Sequence, residues 1–242
     1  MIDLPYCDWY NSINENKTPR VKTMSILQIN GILNGQKVVV KLDSGESHYS
    51  PREFSNLGKL FLKGSVDENK GEYNAEVLIA FSKGYDIESA CDFALKIGSV
   101  NSKSELRKEY RKIKSEVGVA LPVYRYEHSG VAFSTKPFSC PWDSGLAGVI
   151  FATKKDIRSE LSVKLVNSNN IKKTVSSLKS EIDSYSKWAN GEVYTVSIYS
   201  ECGEMLDSCG GIYLNGEESL ENALIEESIS LFGLDRESFK VS

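Results

Sequence analysis

Long apolar runs are missing from this 242-residue sequence, in which no stretch approaches the ~18 consecutive apolar residues that a membrane-spanning helix requires. The first 17 residues have neither the basic start nor the apolar core of a secretory signal, so no such signal is predicted. The five cysteines form no Cys-x-x-Cys pair and only two histidines accompany them, which argues against a disulfide framework and a structural metal site. Phosphate-binding loops of the G-x-x-x-x-G-K-S/T and G-x-G-x-x-G kinds are also missing, and no cofactor is predicted. These absences predict a soluble, cytoplasmic protein with reduced thiols.

Basic and acidic side chains are segregated along the chain, although the formal net charge is only −4. Residues 102–187 carry 16 basic and 9 acidic side chains, a net charge of +7. Residues 188–235 carry 10 acidic side chains and no Lys or Arg. Such blocks either dock on each other within the fold or form two oppositely charged surfaces that steer charged partners.

Apolar runs on either side of short turns predict β-hairpins. The clearest is MSILQINGILNGQKVVVKLD, in which Asn34-Gly35 supplies the positive φ angles of a tight type I′ turn. Two more hairpins are expected around residues 128–130 and 201–203. NLGKLFLKGS and GLAGVIFAT read as further strands, and AEVLIAFSKG as either a strand or a short helix.

Five segments show the periodicity of amphipathic helices, with apolar side chains three or four residues apart. They are residues 86–97, residues 105–117 with Ser104 as the cap, residues 154–164 opened by Thr153, residues 171–190, and the acidic residues 217–233.

Hairpins and helices occur in clusters without strand–helix–strand alternation, which predicts an α+β fold. The expected architecture is antiparallel hairpins packed against amphipathic helices in a single main body. Its boundaries are predicted as an N-terminal extension of residues 1–23, a main domain of residues 24–216, and an acidic C-terminal helix, residues 217–242, packed on that domain.

Reactive side chains are densest between residues 124 and 145, YRYEHSGVAFSTKPFSCPWDSG. Cys140, His128 and Asp143 are the raw materials of a thiol nucleophile, its base and an orienting acid, as in a small hydrolase-like enzyme. The alternative is a structural loop that crosses a sheet edge, with Trp142 and Phe138 as its packing anchors. The spacing of these residues leaves both interpretations open.

Asp-Ser-Gly occurs twice, at residues 43–45 and 143–145. An apolar strand that ends in this tripeptide resembles the catalytic turn of aspartic proteases, in which two carboxylates share a proton. The copies are 100 residues apart, which fits no bilobal protease in so short a chain, and Asp-Ser-Gly is also an ordinary turn sequence.

A third interpretation is direct nucleic-acid binding through the basic helix 105–117. Arg158, Lys172, Lys173 and Lys179 would add to that basic surface. A solvated helix face with Glu-to-Lys pairs is the commoner meaning of such a pattern, so little binding is expected.

Four blocks carry a resemblance to a known family, and they occur in the order SPREFSNLG (50–58), LPVYRYEHSGVAFSTKPFSCPWDSGLAGVIFATK (121–154), WANGEVY (188–194) and CGEMLDSCGGIYLNG (202–216). They resemble a family of phage and mobile-element proteins with motifs of the type PREWDNLG, LPLYLYDHSG, FSCPWDSGQVG and DSCWGFYG. The resemblance covers roughly residues 24–216. Gly210 replaces the family's tryptophan after DSC, and residues 59–66 lack its His/Arg-rich segment.

The family has no assigned activity, so the resemblance implies genomic context rather than chemistry. It implies an accessory protein that binds a host or phage protein complex in the bacterial cytoplasm. The complex would be a host defence system of the CRISPR or restriction type, or another nucleic-acid-handling assembly, which the protein inhibits or modulates through a charged surface. The residues predicted to contact it are Glu217, Glu218, Glu221, Glu226, Glu227, Arg107, Arg111 and Lys112.

Overall fold

The structure, a computed structural model, describes residues 27–44, 49–63, 72–213 and 219–239. These residues form six α-helices and two four-stranded antiparallel sheets, which confirms the predicted α+β class. The described chain separates into two compact units: residues 54–186 lie in the first, and the remaining residues lie in the second. The boundaries predicted at residues 23 and 216 stay predictions. Within the described ranges, no helix has the length and apolar character needed to cross a membrane.

The first unit is built on a sheet in the order β3-β6-β4-β5. Its strands are β3 (Lys59–Leu62), β4 (Val117–Glu127), β5 (Val131–Ser134) and β6 (Ser144–Thr153). Its helices are α1 (Ala75–Ser82), α2 (Ile87–Lys96), α3 (Lys103–Glu116), α4 (Lys154–Glu160) and α5 (Ser168–Ala189), the last of which ends in the second unit.

Strand β6 is buried on both faces of this sheet. Val149 and Phe151 pack in one core cluster with α1, α2 and α3. Ile150 and Ala152 point to the opposite face and pack in a second cluster with α4 and α5. Two apolar faces explain why β6 reads as a continuous apolar run rather than as an alternating one.

Capping side chains set the helix starts of the first unit. Asn74 caps α1, so the ambiguous segment AEVLIAFSKG is a helix. Thr153 caps α4 as predicted. The expected cap at Ser104 is wrong: Ser102 caps α3 because Glu105 stands three residues later and completes a reciprocal capping box.

The second unit contains a sheet in the order β1-β2-β7-β8, covered on one face by α6. Its elements are β1 (Leu27–Leu33), β2 (Gln36–Ser44), β7 (Tyr194–Ser200), β8 (Met205–Ile212) and α6 (Leu220–Phe232). Asn34 and Gly35 have φ angles of 51° and 80°, which confirms the predicted β1–β2 turn. Leu224 is buried against the sheet, whereas Leu220 is 37% exposed at the start of the helix.

Candidate functional site

The segment that links β4, β5 and β6 forms one end of the first sheet. β4 and β5 make the predicted hairpin, and the loop after β5 returns to β6 beside it. The backbone N–H of Glu127 donates to the carbonyl oxygen of Asp143 over 2.9 Å. The ring of Phe138 lies 5.5 Å from that of Tyr126, which holds the middle of the loop against β4. The returning loop is therefore fixed at both its middle and its end.

The structure brings together the three side chains proposed as a catalytic set. Cys140 Sγ lies 3.4 Å from Asp143 Oδ2, within hydrogen-bond reach for sulfur. His128 Nδ1 lies 3.7 Å from the same carboxylate oxygen. The imidazole is 70% exposed and the carboxylate 38% exposed, so the cluster sits at the surface.

The order of these groups differs from that of an activated thiol. A thiol nucleophile needs its base beside the sulfur and an acid behind the base. Here the carboxylate of Asp143 stands between Cys140 and His128. The thiol donates to a carboxylate rather than to an imidazole, so this order favours a role for the cluster in bracing the loop.

The braced loop presents Trp142 to solvent. The expectation that Trp142 anchors the loop by packing is wrong, because its side chain is 91% exposed. The hydroxyl of Ser144 donates to the carbonyl oxygen of Cys140, and the Cys140 thiol donates to Asp143, so the residues around Trp142 are tied to one another. Phe138 is the packing anchor instead.

Of the two Asp-Ser-Gly turns, the structure describes in full the one at residues 143–145. Asp143 is engaged with Cys140 and His128. The side chains of Asp43 and Ser44, and all of Gly45, lie outside the described residues.

Two of the basic residues predicted to bind a partner are used inside the first unit. Arg107 donates two hydrogen bonds to Glu88 of α2. The ammonium of Lys112 donates to the carbonyl oxygen of Glu72 over 2.6 Å and lies 4.7 Å from the ring centre of Tyr73. Arg111 is exposed. One of these three cations is therefore paired with a carboxylate inside the first unit, and a second is held by a carbonyl oxygen and an aromatic ring.

Those acidic residues predicted to bind a partner that the structure describes do not share one face of α6. Glu221 and Glu226 are exposed, and Glu227 is half-buried. At ~100° per residue, these three point in directions about 100–140° apart. Glu226 also pairs with Arg236. Glu217 and Glu218 lie outside the described residues.

Sequence reasoning missed an exposed thiol with a lowered pKa in the β7–β8 turn. Cys202 is exposed, and its sulfur lies 3.0 Å from the hydroxyl oxygen of Ser200. This hydrogen bond, together with one from the backbone of Glu204, lowers the pKa of the Cys202 thiol. The signal was present in the sequence, since a cysteine at a predicted hairpin tip has to be exposed.

A second missed residue joins two distant segments of the first unit. The carboxylate of Glu181 on α5 accepts hydrogen bonds from the backbone N–H groups of Leu57 and Gly58, at 3.0 and 3.1 Å. Leu57 and Gly58 lie 124 and 123 positions from Glu181 in the sequence, so no local pattern could reveal the contact.

No metal site emerges among the residues in the described ranges, where no group of three or more His, Cys, Asp or Glu side chains is arranged to hold an ion. Comparison of the chain with protein-family models, with curated proteins and with solved structures finds no match. The resemblance to the phage and mobile-element family therefore stays a prediction that rests on the quoted motifs.

Proposed function

We propose that this chain is a binding protein, an accessory factor of a phage or other mobile element that occupies the surface of a host or phage complex. The observation that carries the proposal is the exposure of Trp142 on a loop in which the neighbouring Cys140, Asp143 and Ser144 are tied to one another by hydrogen bonds. The resemblance of the surrounding motifs to mobile-element proteins supports the genomic context.

Trp142 has the properties of an interface anchor. Tryptophan is enriched among the few residues that supply most of the binding energy at protein–protein interfaces. An indole that is 91% exposed gains a large apolar contact area when a partner covers it. The hydrogen bonds at Cys140, Asp143 and Ser144 hold the loop before binding, which lowers the entropy lost on association.

Acidic side chains of the second unit supply the charged part of the proposal. Glu221 on α6 and Glu204 and Asp207 on the β7–β8 hairpin are exposed. Carboxylates at a surface speed the encounter with a basic partner and fix its orientation more than they add to final affinity. A complex that handles nucleic acid presents such a basic surface to phosphates.

The test is affinity capture from the natural host with three immobilised proteins: wild type, Trp142→Ala, and Leu165→Ala as a control that removes another exposed apolar side chain, 80% exposed. We expect wild type and Leu165→Ala to retain one stoichiometric partner, and Trp142→Ala to lose it by at least about tenfold. Circular dichroism checks that all three are folded. Equal capture by all three proteins, or no stoichiometric partner, would overturn the proposal.

The electrostatic part is tested on the purified partner with Glu221→Lys. We expect this reversal to slow association at low salt, and the difference from wild type to shrink as salt screens the charges. If Glu221→Lys associates at the wild-type rate at every salt concentration, the acidic surface does not contribute to binding. The proposed contact through Trp142 is not affected by that result.

A further inference from the structure

The solvent-facing side of the first three turns of α5 carries only lysine, serine and asparagine side chains. The opposite side is buried in the core of the first unit through Thr174, Leu178 and Ile182. The exposed members from the helix start to Ser180 are Ser168, Asn169, Lys172, Lys173, Ser176, Ser177, Lys179 and Ser180. We call these residues the α5 lysine face. The first acidic side chain exposed on this side, Asp183, comes one turn beyond Lys179.

The charge of this face is not neutralised by the part of the fold that is described. Within the described ranges, Lys172, Lys173 and Lys179 make no ion pair. On α3, by contrast, Arg107 pairs with Glu88 and Lys103 with Asp92. Exposed carboxylates also stand among the remaining cations of α3, at Glu105 and Glu116.

We infer that the α5 lysine face binds the phosphate backbone of nucleic acid. Lys172 and Lys179 are seven residues apart, which places them within about 20° of each other around the helix and ~10 Å apart along it. Lys173 lies ~100° from Lys172, still on the exposed half. The three ammonium groups can therefore contact separate phosphates of one strand or of one groove.

The composition of the face favours nucleic acid over an acidic protein. Protein interfaces are anchored by aromatic and aliphatic side chains and are depleted in lysine and serine. The α5 lysine face exposes no apolar side chain. Lysine, serine and asparagine are among the residues that contact phosphate oxygens, where they position a protein without reading sequence. Binding is therefore expected to be independent of base sequence and strongly dependent on salt.

The inference does not rest on the proposed function, since it concerns another surface and another partner. The test measures fluorescence anisotropy of a labelled 20-nucleotide DNA, single-stranded and as a duplex, at salt concentrations between about 50 and 200 mM. The test protein carries Lys172→Gln, Lys173→Gln and Lys179→Gln. The control carries Lys96→Gln, Lys108→Gln and Lys114→Gln, which removes the same charge from exposed lysines of α2 and α3.

We expect the α5 variant to bind at least about tenfold more weakly than wild type at the lowest salt. Its plot of log affinity against log salt should lose a slope of about 2–3, since each phosphate contact contributes about 0.9 on a duplex and 0.7 on a single strand. The control should stay within about threefold of wild type, with its slope unchanged.

Several results would overturn the inference. The inference is wrong if the wild-type protein does not bind DNA at about 50 mM salt. Equal losses in the α5 variant and the control would assign the binding to net charge rather than to this face. If polyglutamate displaces the labelled DNA as well as unlabelled DNA does at equal charge, the α5 lysine face binds acidic proteins instead.

Discussion

Arg107 on α3 and Glu88 on α2 form a paired, two-point contact: the Arg107 Nε donates to one carboxylate oxygen at 2.7 Å and a terminal nitrogen donates to the other at 2.8 Å. Lys103 lies 3.4 Å from the same carboxylate. Bidentate geometry fixes both side chains and is the strongest form of such a pair. Two cations of the most basic-looking helix in the sequence therefore hold the neighbouring helix α2.

The first prediction concerns the pH dependence of this contact. The hydrogen bonds from Arg107, aided by its charge and by Lys103, lower the pKa of Glu88 from 4.5 to about 2. Because the folded pKa is depressed, the pair stabilises the fold above pH ~4.5 and loses that contribution as the pH falls toward 2. Glu88→Gln should lower the melting temperature by about 2 °C at pH 7, and the difference should vanish near pH 2.

The control for this measurement is Glu160→Gln, which removes an exposed carboxylate of α4. Its melting temperature should follow that of wild type at every pH. A deficit in Glu88→Gln that stays constant from pH 7 to pH 2 would mean that the side chain acts through packing rather than through its charge.

The second prediction follows from the close approach of β3 and β6. A Cβ atom placed on Gly148 would lie 1.9 Å from the carbonyl oxygen of Phe61 and 2.9 Å from the Cα of Leu62. The obstacle is backbone, so the strands have to separate. We expect Gly148→Ala to lower the free energy of unfolding by about 3 kcal/mol and the melting temperature by about 9 °C.

Gly145 provides the matched control for that substitution. It lies on the same strand and a Cβ there meets nothing within 4 Å. Gly145→Ala should change the free energy of unfolding by less than about 0.5 kcal/mol in urea titrations. Comparable losses in both variants would show that flexibility along β6, rather than contact with β3, determines the cost.

Elements with strong local signals could be predicted from sequence, whereas contacts between distant segments could not. Asn34-Gly35 fixes its hairpin because few residue pairs adopt two positive φ angles. The cap of α3 was misplaced by two residues because Ser102 and Ser104 look alike until Glu105 is seen to close the box with Ser102. Gly148 gave no local sign that another strand's backbone would need its space.

The candidate site shows the same division. The clustering of His128, Cys140 and Asp143 was visible as a dense run of reactive residues. The order of the three side chains in space could not be predicted, because it depends on which side chains the β4–β6 pairing turns toward one another. The exposure of Trp142 ran against the usual burial of large aromatic residues, and only the loop geometry reveals it.

The third prediction separates a bracing role for Cys140 from a catalytic one. If the Asp143 carboxylate braces the loop by accepting a hydrogen bond from the Cys140 thiol, Asp143→Asn weakens that bond and loosens the loop around the sulfur. Alkylation of Cys140 by iodoacetamide at pH 7 should then become faster by roughly two- to fivefold, because the sulfur is more accessible. In an activated thiol the orienting acid supports the base, and the same substitution would slow alkylation. Mass spectrometry of the modified peptide follows the rate.

The fourth prediction concerns Cys202, whose pKa is lowered by the hydrogen bond with Ser200. A thiol with a depressed pKa holds more thiolate near neutral pH, so Cys202 should be alkylated faster at pH 7 than the buried Cys91. Ser200→Ala should return the pKa toward its usual value near 9 and slow alkylation of Cys202 at pH 7 by about two- to fivefold.

The pH profile and a conservative variant identify the cause of this reactivity. Because the substitution changes the fraction of thiolate, the rates for wild type and Ser200→Ala should converge as the pH rises above 9. Ser200→Thr keeps a hydroxyl beside the sulfur, so its Cys202 should be alkylated at the wild-type rate.

A Ser200→Ala protein whose Cys202 reacts at the wild-type rate at pH 7 would show that exposure at the turn, rather than the Ser200 hydroxyl, governs the reactivity of the thiol. If Ser200→Thr slows as much as Ser200→Ala, the shape of the turn is responsible, because the Ser200 hydroxyl also accepts a hydrogen bond from the backbone of Glu204.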